Sequence, residues 1–306
     1  MNNGDNMKTM HDLIQKAKSQ EKKTLVVAVA EDKAVMEAVE MARQEGFIDA
    51  VLYGDESKIL ETLSDLGLNK NDYVIHHSSD AKEASYEAVK HVSSHPKHFL
   101  MKGLVDTSVI LKAALDKEIG LRTDKRISHV SVFEIAHYHK LLAMSDGAMN
   151  IAPNVDEKQE IIENASVILN ALGIDKPKVG CIGAVEKVNP KMQATLDAKT
   201  LEERSKEGKM KGIEVEGPFG LDNAVSLEAA KQKGIDSNVA GDVDLLLMPM
   251  IEAGNVFYKS MMFLAGAKSA SVIAGASRPI VLTSRADSKA SKFYSIALSA
   301  LVAELQ

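Results

Sequence analysis

Short apolar runs alternating with stretches of helical period constrain this chain more than any other feature. Thr24-Leu-Val-Val-Ala-Val-Ala30 is continuously apolar, as a parallel strand covered on both faces must be. Residues 32–45 carry apolar side chains at helical spacing, and Gly46 suits a helix C-terminus. Ile48–Tyr53 is a second apolar run, ending at Gly54-Asp55. The β-α-β pattern continues through Tyr73–His76, a helix over 81–93, Phe99–Leu104 and a helix over 107–116 that starts at Thr107-Ser108. A short amphipathic helix over 7–19 precedes it all.

A second series begins near Ile127. Strands are expected at Val130–Ile135, Lys140–Met144, Lys178–Gly183 and Asp244–Met248, with helices over 156–172, 190–206, 224–232 and 255–265. Ala270–Ala274 and Ile280–Leu282 complete the strands, and apolar period resumes from Tyr294. Strands alternating with helices predict an α/β protein with mainly parallel sheets and helices on both faces. At 306 residues the length suits two domains. No linker-like stretch marks the boundary, so it is placed from the architecture: 1–123 plus 275–306, and 124–274.

Composition excludes several classes. A net charge of -6 argues against nucleic-acid and anionic-membrane partners, so any anion site must be local. The one cysteine, Cys181, allows no internal disulfide and lies in an apolar strand, where a thiol is ordinarily packing. No apolar run reaches membrane-span length and no signal-peptide core opens the chain, so a cytoplasmic location is expected. Nine histidines include His76-His77, His95/His98 and His137/His139, but none stands at zinc-type spacing with cysteine, and no metal site is expected. Dinucleotide, Walker, zincin and nucleophile-elbow motifs are all missing.

Four strand-to-helix junctions fall where α/β sheets present ligand sites. Between Ile280–Leu282 and the last helix lie Thr283, Ser284, Arg285, Asp287, Ser288 and Ser291. Hydroxyls, a guanidinium and a helix N-terminus together suit a phosphate group; Asp287 or Ser288 as a plain helix cap is the competing explanation. Pro249–Lys259 carries Glu252, Gly254 and Asn255. Lys102–Lys112 carries Thr107, Ser108 and, one turn into the helix, Lys112. Ser145–Pro153 carries Asp146 and Asn150 in a turn-rich strand end.

Taken together, Met248-Pro-Met-Ile-Glu-Ala-Gly-Asn255, Leu264-Ala-Gly-Ala267 and Thr283-Ser-Arg-Ala-Asp-Ser288 resemble the phosphate acetyl/butyryltransferase family. Lys102–Lys112, Ser145–Asn154 and Glu216-Gly-Pro-Phe-Gly-Leu-Asp222 agree in order and spacing, so the resemblance spans residue 20 to the C-terminus. Thr283–Ser288 with Tyr294-Ser-Ile-Ala-Leu298 is most similar to the butyryltransferase branch.

The resemblance implies two three-layer α/β/α domains of the isocitrate/isopropylmalate-dehydrogenase type, with the active cleft between domains and the last helix returning to the first. It implies reversible acyl transfer between coenzyme A and inorganic phosphate, butyryl-CoA and phosphate giving butyryl phosphate and CoA. Phosphate acetyltransferase chemistry, a non-catalytic acyl-CoA-sensing module and a dehydrogenase on the same fold are the alternatives. The catalytic group it implies is Ser284, Arg285 and Lys112. Substrate binding is expected from Thr107, Ser108, Asp146, Asn150, Glu252, Gly254, Asn255, Thr283, Asp287 and Ser288. Lys112 stands where the acetyltransferases have an arginine, and Ser291 where they have an aspartate proposed to take the thiol proton. Acyl-CoA, phosphate and acyl phosphate are the expected partners, with coenzyme A a substrate, no tightly bound cofactor, and a homodimer or larger assembly.

Overall fold

A computed structural model describes residues 7–284 and 286–305. The chain divides into two compact units, one built on Met10–Lys125 with the segment from Ala270 onward, the other on Arg126–Ser269.

In the first unit the elements run α1 (Met10–Lys18), β1 (Lys23–Ala28), α2 (Lys33–Gln44), β2 (Ile48–Gly54), α3 (Glu56–Asp65), β3 (Val74–His77), α4 (Ala81–Ser94), β4 (His98–Lys102) and α5 (Thr107–Ala114). Strands β1 and β4 are buried almost throughout, as the unbroken apolar runs require. Helices α2, α3 and α4 each start behind an aspartate, Asp32, Asp55 and Asp80, whose carboxylate accepts first-turn N–H groups. Sequence reading passed over α3, whose apolar positions are few; only Ile59, Thr62 and Leu63 are buried.

The second unit contains β5 (Ser128–Glu134), β6 (Leu142–Ser145), α6 (Val155–Ala171), β7 (Lys178–Ile182), α7 (Gln193–Lys206), β8 (Glu214–Phe219), α8 (Leu221–Val225), α9 (Leu227–Gln232), β9 (Leu245–Leu247) and α10 (Ile251–Phe263). Three expectations need correction here. The segment 214–219, to which the sequence assigns no strand, is one; β8 ends the sheet order, and an edge tolerates Pro218. The helix expected over 224–232 is two, because Ser226 leaves helical geometry and caps α9 through the Ala229 N–H. Helix α10 begins at Ile251 rather than Asn255, so Gly254 and Asn255 lie inside it.

The last elements are β10 (Lys268–Ala274), β11 (Ile280–Val281) and α11 (Lys289–Glu304). Strand order in the first unit is β3-β2-β1-β4-β11-β10, and in the second β5-β6-β9-β7-β8. Neighbours are parallel except for β10 against β11 and β5 against β6. The fold class is therefore α/β with mainly parallel strands. Among the described residues no helix is long and apolar enough to cross a membrane.

Candidate active site

Strands β4 and β11 lie side by side and parallel, Ile280 opposite Leu100 and Val281 opposite Met101. Their C-terminal ends therefore leave the sheet at one edge, and each feeds a helix N-terminus. At the head of α5, Asp106 has the extended backbone of an N-cap, but its carboxylate makes no capping bond. Thr107 and Ser108 are exposed in the first turn, and Lys112 is exposed one turn further on. First-turn N–H groups and two hydroxyls thus share one helix end, which suits an anion, while Lys112 stands in the last turn of the same short helix.

The loop leaving β11 is held from within. The Ser284 N–H donates to the Asp287 carboxylate at 2.7 Å, and the Asp287 N–H returns to the Ser284 carbonyl at 3.1 Å. Asp287 therefore ties the loop rather than capping α11. The cap is Ser288, whose hydroxyl accepts the Ser291 N–H at 3.1 Å, as the competing explanation had it for this residue. Ser284 is half-buried and Ser288 exposed, whereas Thr283 is buried and can act only through loop packing. Ser291 is also buried, its hydroxyl 3.1 Å from that of Ser288. Arg285 lies outside the described residues.

Two lysines that sequence reading did not single out support these turns from below. Lys102, buried at the end of β4, donates to the carbonyls of Gly103 and Val105 at 3.3 and 3.0 Å. Lys292, buried on α11, donates to the carbonyls of Ser284 and Asp287 at 3.3 and 2.6 Å. A buried ammonium is tolerable only when hydrogen-bonded, and loop carbonyls supply that here. Only the structure shows this: Lys292 sits between Ser291 and Phe293 on a helix buried along most of its length, where the residue type alone suggests a surface position.

In the second unit β6 and β9 are likewise parallel neighbours. The turn after β6 is organised by Asp146, which is buried and accepts from the N–H groups of His129, Ala148 and Met149 and from Asn150 Nδ2, at 2.7–3.1 Å. Asn150 also donates to the Ile127 carbonyl at 3.0 Å and accepts from Arg126 at 3.2 Å. The polar atoms of both residues are engaged within the protein, so they shape the turn. Gly254 packs on this turn so closely that a Cβ would overlap the Asp146 carbonyl and stand 2.8 Å from Gly147 Cα. Asn255, exposed, donates to the Gly147 carbonyl at 3.3 Å, and Glu252 is exposed in the first turn of α10. Cys181 is buried in β7, and burial pushes its thiol up to about 12, far from a nucleophile's range.

Comparison with known proteins agrees with this geometry. The family model described as phosphate acetyl/butaryl transferase matches residues 9–98 and 76–300. Over 297 residues the chain is 46% identical to the phosphate butyryltransferase of Clostridium acetobutylicum, covering 97% of this chain and 99% of that one. It is also 46% identical over 295 residues to the phosphate acetyltransferase of Thermotoga maritima, covering 96% and 99%. The crystal structure of a branched-chain phosphotransacylase from Enterococcus faecalis superposes with a TM-score of 0.83 at 32% identity, covering 92% of this chain and 99% of that one.

Proposed function

The chain belongs to the phosphate acetyl/butaryl transferase family and is an acyltransferase working between coenzyme A and phosphate; we propose that butyryl is the acyl group it prefers. A phosphate oxygen attacks the thioester carbonyl carbon, forming a C–O bond. The C–S bond then breaks, and coenzyme A leaves as a thiolate. A thiolate is a good leaving group, so no strong general acid is needed, and a serine at position 291 is compatible with turnover.

In this reading Ser284, Arg285 and Lys112 are the catalytic group. Arg285 and Lys112 position the phosphate and offset its charge, Arg285 on the strength of the Thr283–Ser288 motif. Because the Ser284 N–H is already given to Asp287, the Ser284 hydroxyl is the loop's better donor to the developing oxyanion. Thr107, Ser108 and Ser288 bind through hydroxyls, and Glu252 and Asn255 through side chains exposed on α10. Thr283, Asp287, Asp146, Asn150 and Gly254 serve binding by holding their turns in shape. The observation that carries the reading is the uncapped, hydroxyl-bearing head of α5 beside the serine loop after β11.

The same reading has a cytoplasmic enzyme without tightly bound cofactor, assembled as a homodimer or larger, with domain boundaries near residues 123 and 274. Acetyl-CoA as the preferred substrate is favoured by one observation, the equal identity to the Thermotoga maritima enzyme. Thiol release measured with phosphate and either butyryl-CoA or acetyl-CoA tests both. We expect kcat/KM to favour butyryl-CoA by about tenfold or more, since each methylene is worth about 1–3 kcal/mol in a fitted pocket. Preference for acetyl-CoA overturns the acyl assignment, and no phosphate-dependent release from either overturns catalysis in favour of an acyl-CoA sensor.

A further inference from the structure

Three histidines that the acyl-transfer chemistry does not use meet in the first unit, where α4 hands over to β4. His91 lies in the last turn of α4, His95 caps it, and His98 opens β4. One ring nitrogen from each lies within 4.8 Å of the others. His91 Nε2 and His98 Nδ1 are 3.1 Å apart, and the three rings pack with centroids 4.5–5.2 Å from one another. Two imidazole nitrogens bound to one ion at about 2.0–2.1 Å stand roughly 3 Å apart. The His91–His98 pair already has that spacing.

The remaining nitrogens are held in the way metal-bound imidazoles are. His95 Nδ1 is 2.8 Å from the His91 carbonyl, which makes it the protonated nitrogen and leaves Nε2 as the donor atom. His91 Nδ1 is 2.9 Å from the Tyr53 hydroxyl, leaving Nε2 toward His98. An imidazole binds a metal through an unprotonated ring nitrogen, and the neighbouring carbonyl and hydroxyl leave one such nitrogen on His95 and His91. The C-terminal end of a helix also favours a cation. The charged side chains that act here are Arg278, felt by His98, and Glu87, felt by Tyr53.

We propose that His91 Nε2, His95 Nε2 and His98 Nδ1 form a binding site for a borderline divalent transition-metal ion such as Zn2+, with a water as fourth ligand. Nitrogen-only donors select zinc, cobalt, nickel or copper over magnesium and calcium, which take oxygen. The site lies at the N-terminal end of β4, whereas the candidate phosphate loop follows its C-terminal end at Lys102. The ion would tie α4 to β4 across residues 95–97 and take no part in acyl transfer. Sequence spacing hid the trio because His91 and His95 are one helical turn apart while His98 joins them only across a chain reversal.

Untagged, chelator-stripped protein titrated with Co2+ at pH 7.5 tests this by visible absorption, with Zn2+ calorimetry and thermal unfolding alongside. We expect one ion per chain, a cobalt spectrum of low coordination number, and a Zn2+-dependent rise in the thermal midpoint. His95→Gln, at an exposed position, and His98→Gln should each weaken binding at least tenfold and abolish the midpoint rise, with metal-free thiol-release activity retained. Absence of saturable binding at micromolar Co2+ or Zn2+, or undiminished binding in His95→Gln, would overturn the site; should His98→Gln not fold, His95→Gln decides alone.

Discussion

The two pairs of strand ends that carry the candidate residues use their polar groups in opposite ways. After β4 and β11 the turns are pinned from beneath by Lys102 and Lys292, and Thr107, Ser108 and Lys112 are left exposed, while the exposed Ser288 hydroxyl also caps α11. After β6 the turn spends its carboxylate and amide inwardly: Asp146 and Asn150 are buried and bonded to their own neighbourhood. Residues equally suggestive in sequence thus separate into those available to a ligand and those that hold a backbone in shape. Availability depends on where the hydrogen bonds of each group already go.

That contrast can be broken most directly at the serine-arginine pair. Ser284→Ala or Arg285→Ala should lower phosphate-dependent kcat about 100–1000-fold with an unchanged unfolding curve, as loss of a transition-state donor does. Turnover within a few fold of wild type would remove the pair from the chemistry. Gly254→Ala attacks the other region and should act on stability: a Cβ facing the Asp146 carbonyl forces a shift costing about 1–3 kcal/mol, read from urea midpoints. Asp146→Asn should behave alike, since one acceptor oxygen replaces two where four donors converge. A loss in midpoint of comparable size is expected, with KM for acyl-CoA following only as far as the fold does. If Asp146→Asn instead changes KM without touching stability, the division between the two regions is wrong.

Lys112→Arg sharpens the first region. It keeps the charge and adds a bidentate fork, so KM for phosphate should shift by several fold while the midpoint stays put. The smallest effect belongs to pH. Burial alone would raise the Asp242 carboxyl, but hydrogen bonds from Lys140, Lys178 and His139 outweigh it and hold it well below the usual range. A lowered carboxyl contributes stability that is present above its unfolded value of about 3.9 and is lost as pH falls through the lower folded value. Asp242→Asn should therefore lower stability modestly at pH 7 and flatten the acid limb of the profile, the variant and wild type converging as pH falls below the folded value.

Most of the fold was legible because continuous apolar runs admit few alternatives. Thr24–Ala30 and Phe99–Leu104 read as buried strands, and β1 and β4 overlap them, each starting one residue earlier. The misses share a cause. Helix α3 buries too little to print a period, β8 hides behind an edge proline, and the start of α10 is set by Met250 without any capping side chain. The site was legible as motifs at junctions, yet the buried lysines beneath it were not, because a lysine in a sequence reads as surface.

Residue order and type alone determined the alternation of strand and helix, the absence of a disulfide or nucleotide loop, and the motifs on which membership of the family rests. Only tertiary structure decided that β11 lies beside β4, that Asp287 spends its carboxylate on Ser284 while Ser288 caps the helix, and that His98 meets His91 and His95. The physical reason is range. Periodicity and capping act over one or two turns of chain, whereas the partner of a buried polar group is chosen by whatever the fold brings within about 3 Å of it.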